Sequence, residues 1–257
     1  MTVVHETAEA FLARHFGDEG RAWLATVPRT LQELSRDWRL TLGARLHGGL
    51  LAIVHEAMTA EGERVVLKLA SHWDRPLEEI ACLETWSGHG APRLLRADRA
   101  RAALLLERIE PGLRARDADA SPVADVLRQL HQQPLAGMRT LGEVARRRLA
   151  RADVERRAKD DRARWALAAI ERLESEPVAP VLVHGDFDWR NLLRSDRRGL
   201  VAIDPLACAG DPAYDAGYWA QAAGDPGRRA RTTAIADALG LDVRRVRAWC
   251  AVVAVHG

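Results

Sequence analysis

The chain has 257 residues, 47% of them apolar and 29% charged, with a formal net charge of +2. This is enough chain for a substantial core, and so near a charge balance argues against nucleic acid as a partner. Three widely spaced cysteines, Cys82, Cys208 and Cys250, exclude a disulfide framework or a zinc cluster. The amino terminus lacks the basic-then-apolar pattern of a secretory signal, and no apolar run nears the ~20 residues of a membrane span. The expectation is a cytoplasmic monomer with no membrane or nucleic-acid partner.

Residues 7–38 carry helical periodicity, with Pro28 as the first position of a second helical segment. The period then shortens. Residues 39–69 read as a three-stranded antiparallel meander, broken by His47-Gly48-Gly49 and turned at Glu61-Gly62. Pro76 opens a helix to Trp86, with Leu77, Ile80, Leu83 and Trp86 as its apolar side. Two more short strands follow near residues 92–95 and 102–106. Residues 107–112 form a connector in which Pro111-Gly112 supplies turn chemistry.

Beyond the connector helices dominate. Ser121-Pro122 reads as a cap and first position, and further helices are expected over residues 141–157, 161–174, 228–239 and 243–255, with one more starting near Asp215. The basic runs Arg146-Arg147-Arg148 and Arg228-Arg229 read as solvated helix faces. Lysine occurs only at Lys68 and Lys159 in a chain otherwise rich in arginine. Lys68 stands out because it interrupts an apolar strand, Val65-Val66-Leu67-Lys68-Leu69.

Residues 181–204 carry the densest chemistry. An apolar run, Val181-Leu182-Val183, leads into His184-Gly185-Asp186, with Asn191 five positions on. A short hairpin then ends on Asp204. Two carboxylates and a carboxamide at one sheet edge suit magnesium and a phosphoryl group, since Mg²⁺ takes hard oxygen ligands and only one or two protein carboxylates. Asp186 is then left to orient an attacking hydroxyl.

The order of these elements, with VLKL near residues 65–69, ALLLERIEPG at 103–112, HGDFDWRN at 184–191 and IDPLACAGDPAYD at 203–215, resembles the aminoglycoside phosphotransferase and choline kinase-like branch of the protein-kinase-like fold. Within it the chain is similar to the aminoglycoside/hydroxyurea antibiotic resistance kinases. The resemblance implies an α+β, two-lobed fold: residues 1–108 as a helical extension and nucleotide-binding antiparallel sheet, and residues 109–257 as a mostly helical lobe with the catalytic loop. It implies ATP and Mg²⁺ as cofactors. Asp186 would accept the acceptor's proton, and Asn191 and Asp204 would hold the metal. Lys68 would contact the α/β-phosphates, held by Glu79 or its neighbour Glu78. Gly48 and Gly49 would let the backbone approach the phosphates, and Glu107 to Ile109 would offer backbone hydrogen bonds to adenine. Asp188 and Trp189 are candidates to face the acceptor, whereas His184 and Asp215 would be structural supports.

The implied reaction moves the γ-phosphoryl of ATP to a hydroxyl of a small, cationic molecule, an aminoglycoside of the streptomycin type. Alternatives at the same site are hydroxyurea, another antibiotic or a metabolic alcohol. Gly48-Gly49 also reads as an ordinary hairpin turn, because the fuller GxGxxG pattern is absent, and Asp188 also reads as solvated. Two competitors come from other classes. A non-catalytic binder would be expected to lack a metal or base group, and a metal-dependent hydrolase would need further histidine or carboxylate ligands beside His184, Asp186 and Asp204.

Overall fold

The computed structural model describes residues 7–46, 49–156, 161–176, 178–221 and 227–256. They divide into two compact units: Met1–Gly88 with Pro92–Ile109, and His89–Ala91 with Glu110–Gly257.

The first unit is a long helix against a sheet. Helix α1 (Ala8–Trp38) starts at Thr7, whose hydroxyl accepts the N–H of Ala10. Pro28 lies inside it and opens no new segment. The break comes at Gly17, where φ is +53° and ψ −128°, a conformation open to glycine and costly to other residues. Strands β1 (Leu40–Leu46), β2 (Ala52–Thr59), β3 (Arg64–Ala70), β4 (Leu94–Asp98) and β5 (Ala103–Glu107) form one antiparallel sheet in the order β1-β2-β3-β5-β4.

Val65, Leu67 and Leu69 pack with Leu31, Leu34 and Trp38 in one core. Strand alternation therefore sends Lys68 to the opposite face of the central strand. A 3₁₀ turn (His72–Asp74) and helix α2 (Pro76–Trp86) follow. On α2 the buried residues Pro76, Glu79, Ile80, Leu83 and Trp86 share one stripe.

The second unit holds helices α3 (Ala120–Leu130), α4 (Leu141–Arg156), α5 (Asp161–Ser175), α6 (Ala213–Gln221), α7 (Arg228–Leu239) and α8 (Val243–His256). Two small antiparallel sheets accompany them. One contains β6 (Pro111–Arg114), β8 (Leu192–Ser195) and β9 (Gly199–Ala202) in the order β6-β8-β9; the other pairs β7 (Val181–Val183) with β10 (Cys208–Gly210). Residues Pro111 and Gly112, read above as a turn, start the edge strand β6. An edge tolerates proline because its missing N–H need not join a ladder. The cap of α3 also moves: the helix begins at Ala120 with Asp119 as N-cap, and Ser121-Pro122 fall in its first turn. Pro122 fits there because first-turn N–H groups have no partner within the helix.

Residues 89–91 belong to this unit although the chain on either side of them does not. The Gly90 carbonyl accepts from Ala202 N at 2.8 Å, and the Ala91 carbonyl from Arg198 Nη1 at 3.1 Å. Gly90 has φ +72°, and a Cβ there would sit 3.0 Å from a Leu130 methyl.

Asp211 ties α6 to α8. It is buried, and its carboxylate accepts Ala213 N at 2.9 Å, Trp249 Nε1 at 2.6 Å and Arg245 Nε. Replacing it strands an indole N–H and takes its carboxylate partner from a largely buried guanidinium that keeps only the Leu173 carbonyl at 2.8 Å and a distant Glu176 at 3.9 Å. Asp211→Ala is therefore expected to cost about 3 kcal/mol of unfolding free energy in a denaturant titration. A loss well under 1 kcal/mol would mean that Arg245 finds water or another partner.

Candidate active site

The loop between β7 and β8 is held from below by one carboxylate. Asp215, on the first turn of α6 and fully buried, accepts His184 N at 2.7 Å on Oδ2 and Gly185 N at 2.9 Å on Oδ1. His131, at the end of α3, places Nε2 3.1 Å from Asp215 Oδ2. Gly185 turns the chain with φ +79°, and a Cβ there would lie 2.2 Å from the Leu206 carbonyl oxygen. Only glycine fits that close pass.

His184 is buried with a defined proton arrangement. Its Nε2 donates to the Ile203 carbonyl at 3.0 Å, and its Nδ1 accepts Asp186 N at 3.3 Å. Burial is the main influence on the ring and moves its pKa below the ordinary histidine value. A neutral ring with one N–H and one acceptor satisfies both contacts.

Asp186 projects from this braced turn with its side chain 31% exposed. Asn191 Nδ2 donates to its Oδ2 and to its main-chain oxygen, both at 2.9 Å. Its Oδ1 takes Arg148 Nη2 at 2.8 Å and the Tyr218 hydroxyl at 2.7 Å. Burial pushes the carboxyl pKa up, but the Arg148 guanidinium and the Tyr218 hydroxyl outweigh it and hold the group below the usual aspartate range. Asp186 is thus an ionised acceptor at neutral pH.

Asn191 closes a 3₁₀ turn (Trp189–Asn191) and leads into β8. The β8–β9 ladder pairs Leu192 with Ala202, and Ile203 N donates to the Asn191 carbonyl at 2.8 Å. The hairpin thereby brings Asp204 beside Asn191. Asp204 is exposed and left-handed, with φ +59°, immediately before Pro205. That conformation is disfavoured before proline, and a non-glycine residue held in it stores about 1–3 kcal/mol. Asn191 commits Nδ2 to Asp186, so its Oδ1 and the Asp204 carboxylate are the hard oxygens this hairpin can offer a cation. Such a pair fits Mg²⁺ better than a softer metal.

Asp188 departs from expectation. It is not solvated: it is 5% exposed, caps the 3₁₀ turn through Arg190 N at 2.6 Å, and holds Arg190 Nε at 2.7 Å. Asp and Arg190 spacing lets the side chain fold back over the cap. Trp189 is half-buried, with the Arg116 guanidinium 5.3 Å from its ring centroid.

In the first unit, Lys68 is 5% exposed and places Nζ 2.7 Å from Glu79 and 3.1 Å from Asp74. Glu78 points elsewhere and pairs with Arg75 at 2.7 Å. Glu107 gives its side chain to Arg93 N at 2.9 Å and Nε at 3.1 Å, and Ile109 is buried. Gly48 lies outside the described residues. A Cβ on Gly49 would meet nothing nearer than the Ala52 carbonyl at 3.9 Å, so no close contact there requires glycine.

The model of the aminoglycoside/hydroxyurea antibiotic resistance kinases matches residues 37–257. The chain belongs to this family. It is 34% identical to a streptomycin 6-kinase of Streptomyces glaucescens, over 96% of this chain and 86% of that protein. It is also 34% identical to a hydroxyurea phosphotransferase of Kitasatospora aureofaciens, over 92% of this chain and 73% of that one. Among solved structures, a choline/ethanolamine kinase family protein of Mesorhizobium loti superposes with a TM-score of 0.64 at 18% identity, covering 92% of this chain and 83% of that chain. The fold is protein-kinase-like, and the chain is a phosphotransferase. Among the described residues no helix is long and apolar enough to cross a membrane.

Sequence reasoning missed Arg148, Tyr218, His131 and Asp74 as neighbours of the site residues. Arg148 belongs to a run read as a solvated face. Arg146 fits that reading, in an exposed pair with Glu174, but Arg148 is only 18% exposed and turns to Asp186. Gly185→Ala is expected to displace the turn and lower phosphoryl transfer on the order of 10²-fold. Wild-type turnover in that variant would show that the close pass at Leu206 does not set the position of Asp186.

Proposed function

We propose that this kinase transfers the γ-phosphoryl of ATP to a hydroxyl of an aminoglycoside of the streptomycin type. The observation that carries the reading is the braced Asp186, ionised and partly exposed beside Asn191 and Asp204, in a chain that shares 34% identity with a streptomycin 6-kinase over most of both lengths. In this reading Asp186 orients the acceptor hydroxyl and takes its proton as the new O–P bond forms. Asn191 Oδ1 and the Asp204 carboxylate hold Mg²⁺, which when bound neutralises charge on the nucleotide phosphates. Lys68, fixed by Glu79, contacts the α/β-phosphates, and the backbone from Glu107 to Ile109 meets the adenine edge. Gly49, with no Cβ, lets the backbone approach the phosphates. Trp189 walls the acceptor, its ring already facing one guanidinium.

A second reading keeps the chemistry and changes the acceptor to hydroxyurea. It is favoured by the equal identity to the hydroxyurea phosphotransferase. A panel of streptomycin, other aminoglycosides, hydroxyurea and simple alcohols with Mg-ATP, scored by mass of the phosphorylated product, separates the two. A hydrolase would instead release phosphate at the same rate without any acceptor, and a binder would give no product.

Asp186→Asn keeps the shape but removes the base, and is expected to lower kcat on the order of 10³-fold. Lys68→Ala is expected to raise the KM for ATP more than the KM for the acceptor. Near-normal transfer by Asp186→Asn would sink the assignment.

A further inference from the structure

We infer that Arg148 and Tyr218 are positioning residues for the phosphoryl-transfer step: together they hold Asp186 Oδ1 and reserve Oδ2 for the acceptor hydroxyl. This inference rests on the reading of Asp186 as the acceptor-facing base.

A carboxylate used as a base needs one oxygen aimed at the incoming hydroxyl, yet an aspartate side chain rotates about two bonds. Here both rotations are fixed. Arg148 Nη2 and the Tyr218 hydroxyl converge on Oδ1 at 2.8 and 2.7 Å, filling it with two donors. Asn191 Nδ2 occupies one side of Oδ2 at 2.9 Å. An ionised carboxylate oxygen accepts two hydrogen bonds, so Oδ2 keeps capacity for one more donor on a side chain that is 31% exposed.

The two supports are themselves fixed. The Arg148 guanidinium stacks 5.2 Å from the Tyr218 ring centroid and reaches the Tyr214 hydroxyl at 3.4 Å with Nη1. Tyr214 is fully buried and packs edge-on against Trp249 at 5.3 Å, and Tyr214 and Tyr218 meet edge-on at 5.8 Å. Arg148 arrives from α4 and Tyr218 from α6, so the clamp measures the spacing of those helices from the loop. A surface arginine would need none of this: its charge would be met by solvent. A charge-assisted pair of this kind restricts geometry as well as adding energy.

The positioning role separates from a merely structural one by kinetics. Transfer is followed with Mg-ATP and streptomycin, hydroxyurea, or water alone as acceptor. Arg148→Ala is expected to lower kcat on the order of 10²-fold while the KM for ATP stays within about twofold of wild type. Guanidinium ion, added far below its denaturing range, is expected to restore much of the loss by occupying the vacated place. Tyr218→Phe keeps the ring and removes one donor, and is expected to lose roughly tenfold in kcat. Arg148→Lys, which keeps the charge but replaces the planar fork with a compact ammonium, is expected to fall between wild type and Arg148→Ala.

An unchanged kcat in Arg148→Ala overturns the inference, as does a loss that guanidinium leaves untouched in a protein with wild-type melting. If Arg148→Ala fails to fold, Tyr218→Phe decides alone, and a wild-type kcat there overturns it. Full activity in Asp186→Asn fells the underlying reading instead, so the two failures are distinguishable.

Discussion

The site depends on one buried carboxylate. Asp215 has no exposed surface and takes two consecutive backbone N–H groups, of His184 and Gly185, one on each oxygen. A charge in that position is tolerable only because both oxygens are paired, and removing it would leave two buried donors without partners. The brace comes from the first turn of α6, where the helix dipole also favours a negative group. It leaves the loop no choice but to turn at Gly185 and present Asp186 outward. His184, bridging Ile203 and Asp186, then locks that turn to the strand end from which Asp204 emerges. The order of causes runs from a helix terminus to a backbone turn to a hairpin, and the site groups come last.

Much of this was legible because the chemistry is local. His184, Asp186 and Asn191 sit within eight positions of one another, and the hairpin that follows has strand residues on both sides of a polar turn, so residue types alone placed the loop and Asp204 together. Between Glu79 and Glu78 the sequence left the choice open; packing makes it, because Glu79 shares the buried stripe of Ile80, Leu83 and Trp86 whereas Glu78 pairs with Arg75. Most helices kept close to the bounds their periodicity gave.

What stayed hidden was set by distant packing. Arg148 is chemically indistinguishable from Arg146 and Arg147 in sequence, and its partner Asp186 is 38 positions away. Asp188 looked available because the sequence does not say that Arg190 folds back on it. Proline misled at Pro28, at Pro111 and, by two positions, at Pro122, because a proline marks where an N–H is dispensable, and first turns, kinked helices and sheet edges all offer such places. Strand β10 was missed because three residues, Cys208–Gly210, carry too little alternation to declare themselves.

The tripeptide at residues 89–91 has a consequence for how the chain comes together. It is a strap: the backbone leaves the first unit at Gly88, hands one carbonyl to Ala202 and a close glycine contact to Leu130, and returns at Pro92. The second unit is therefore discontinuous in sequence. During synthesis its β9 edge cannot be completed from the carboxy-terminal segment alone, because part of it left the ribosome before the sheet of the first unit was finished. A fragment beginning at residue 110 would lack that strap, leaving Ala202 N without its acceptor and Leu130 facing a gap. The boundary that looks natural on a linear map is not one at which this protein can be cut into two self-sufficient pieces.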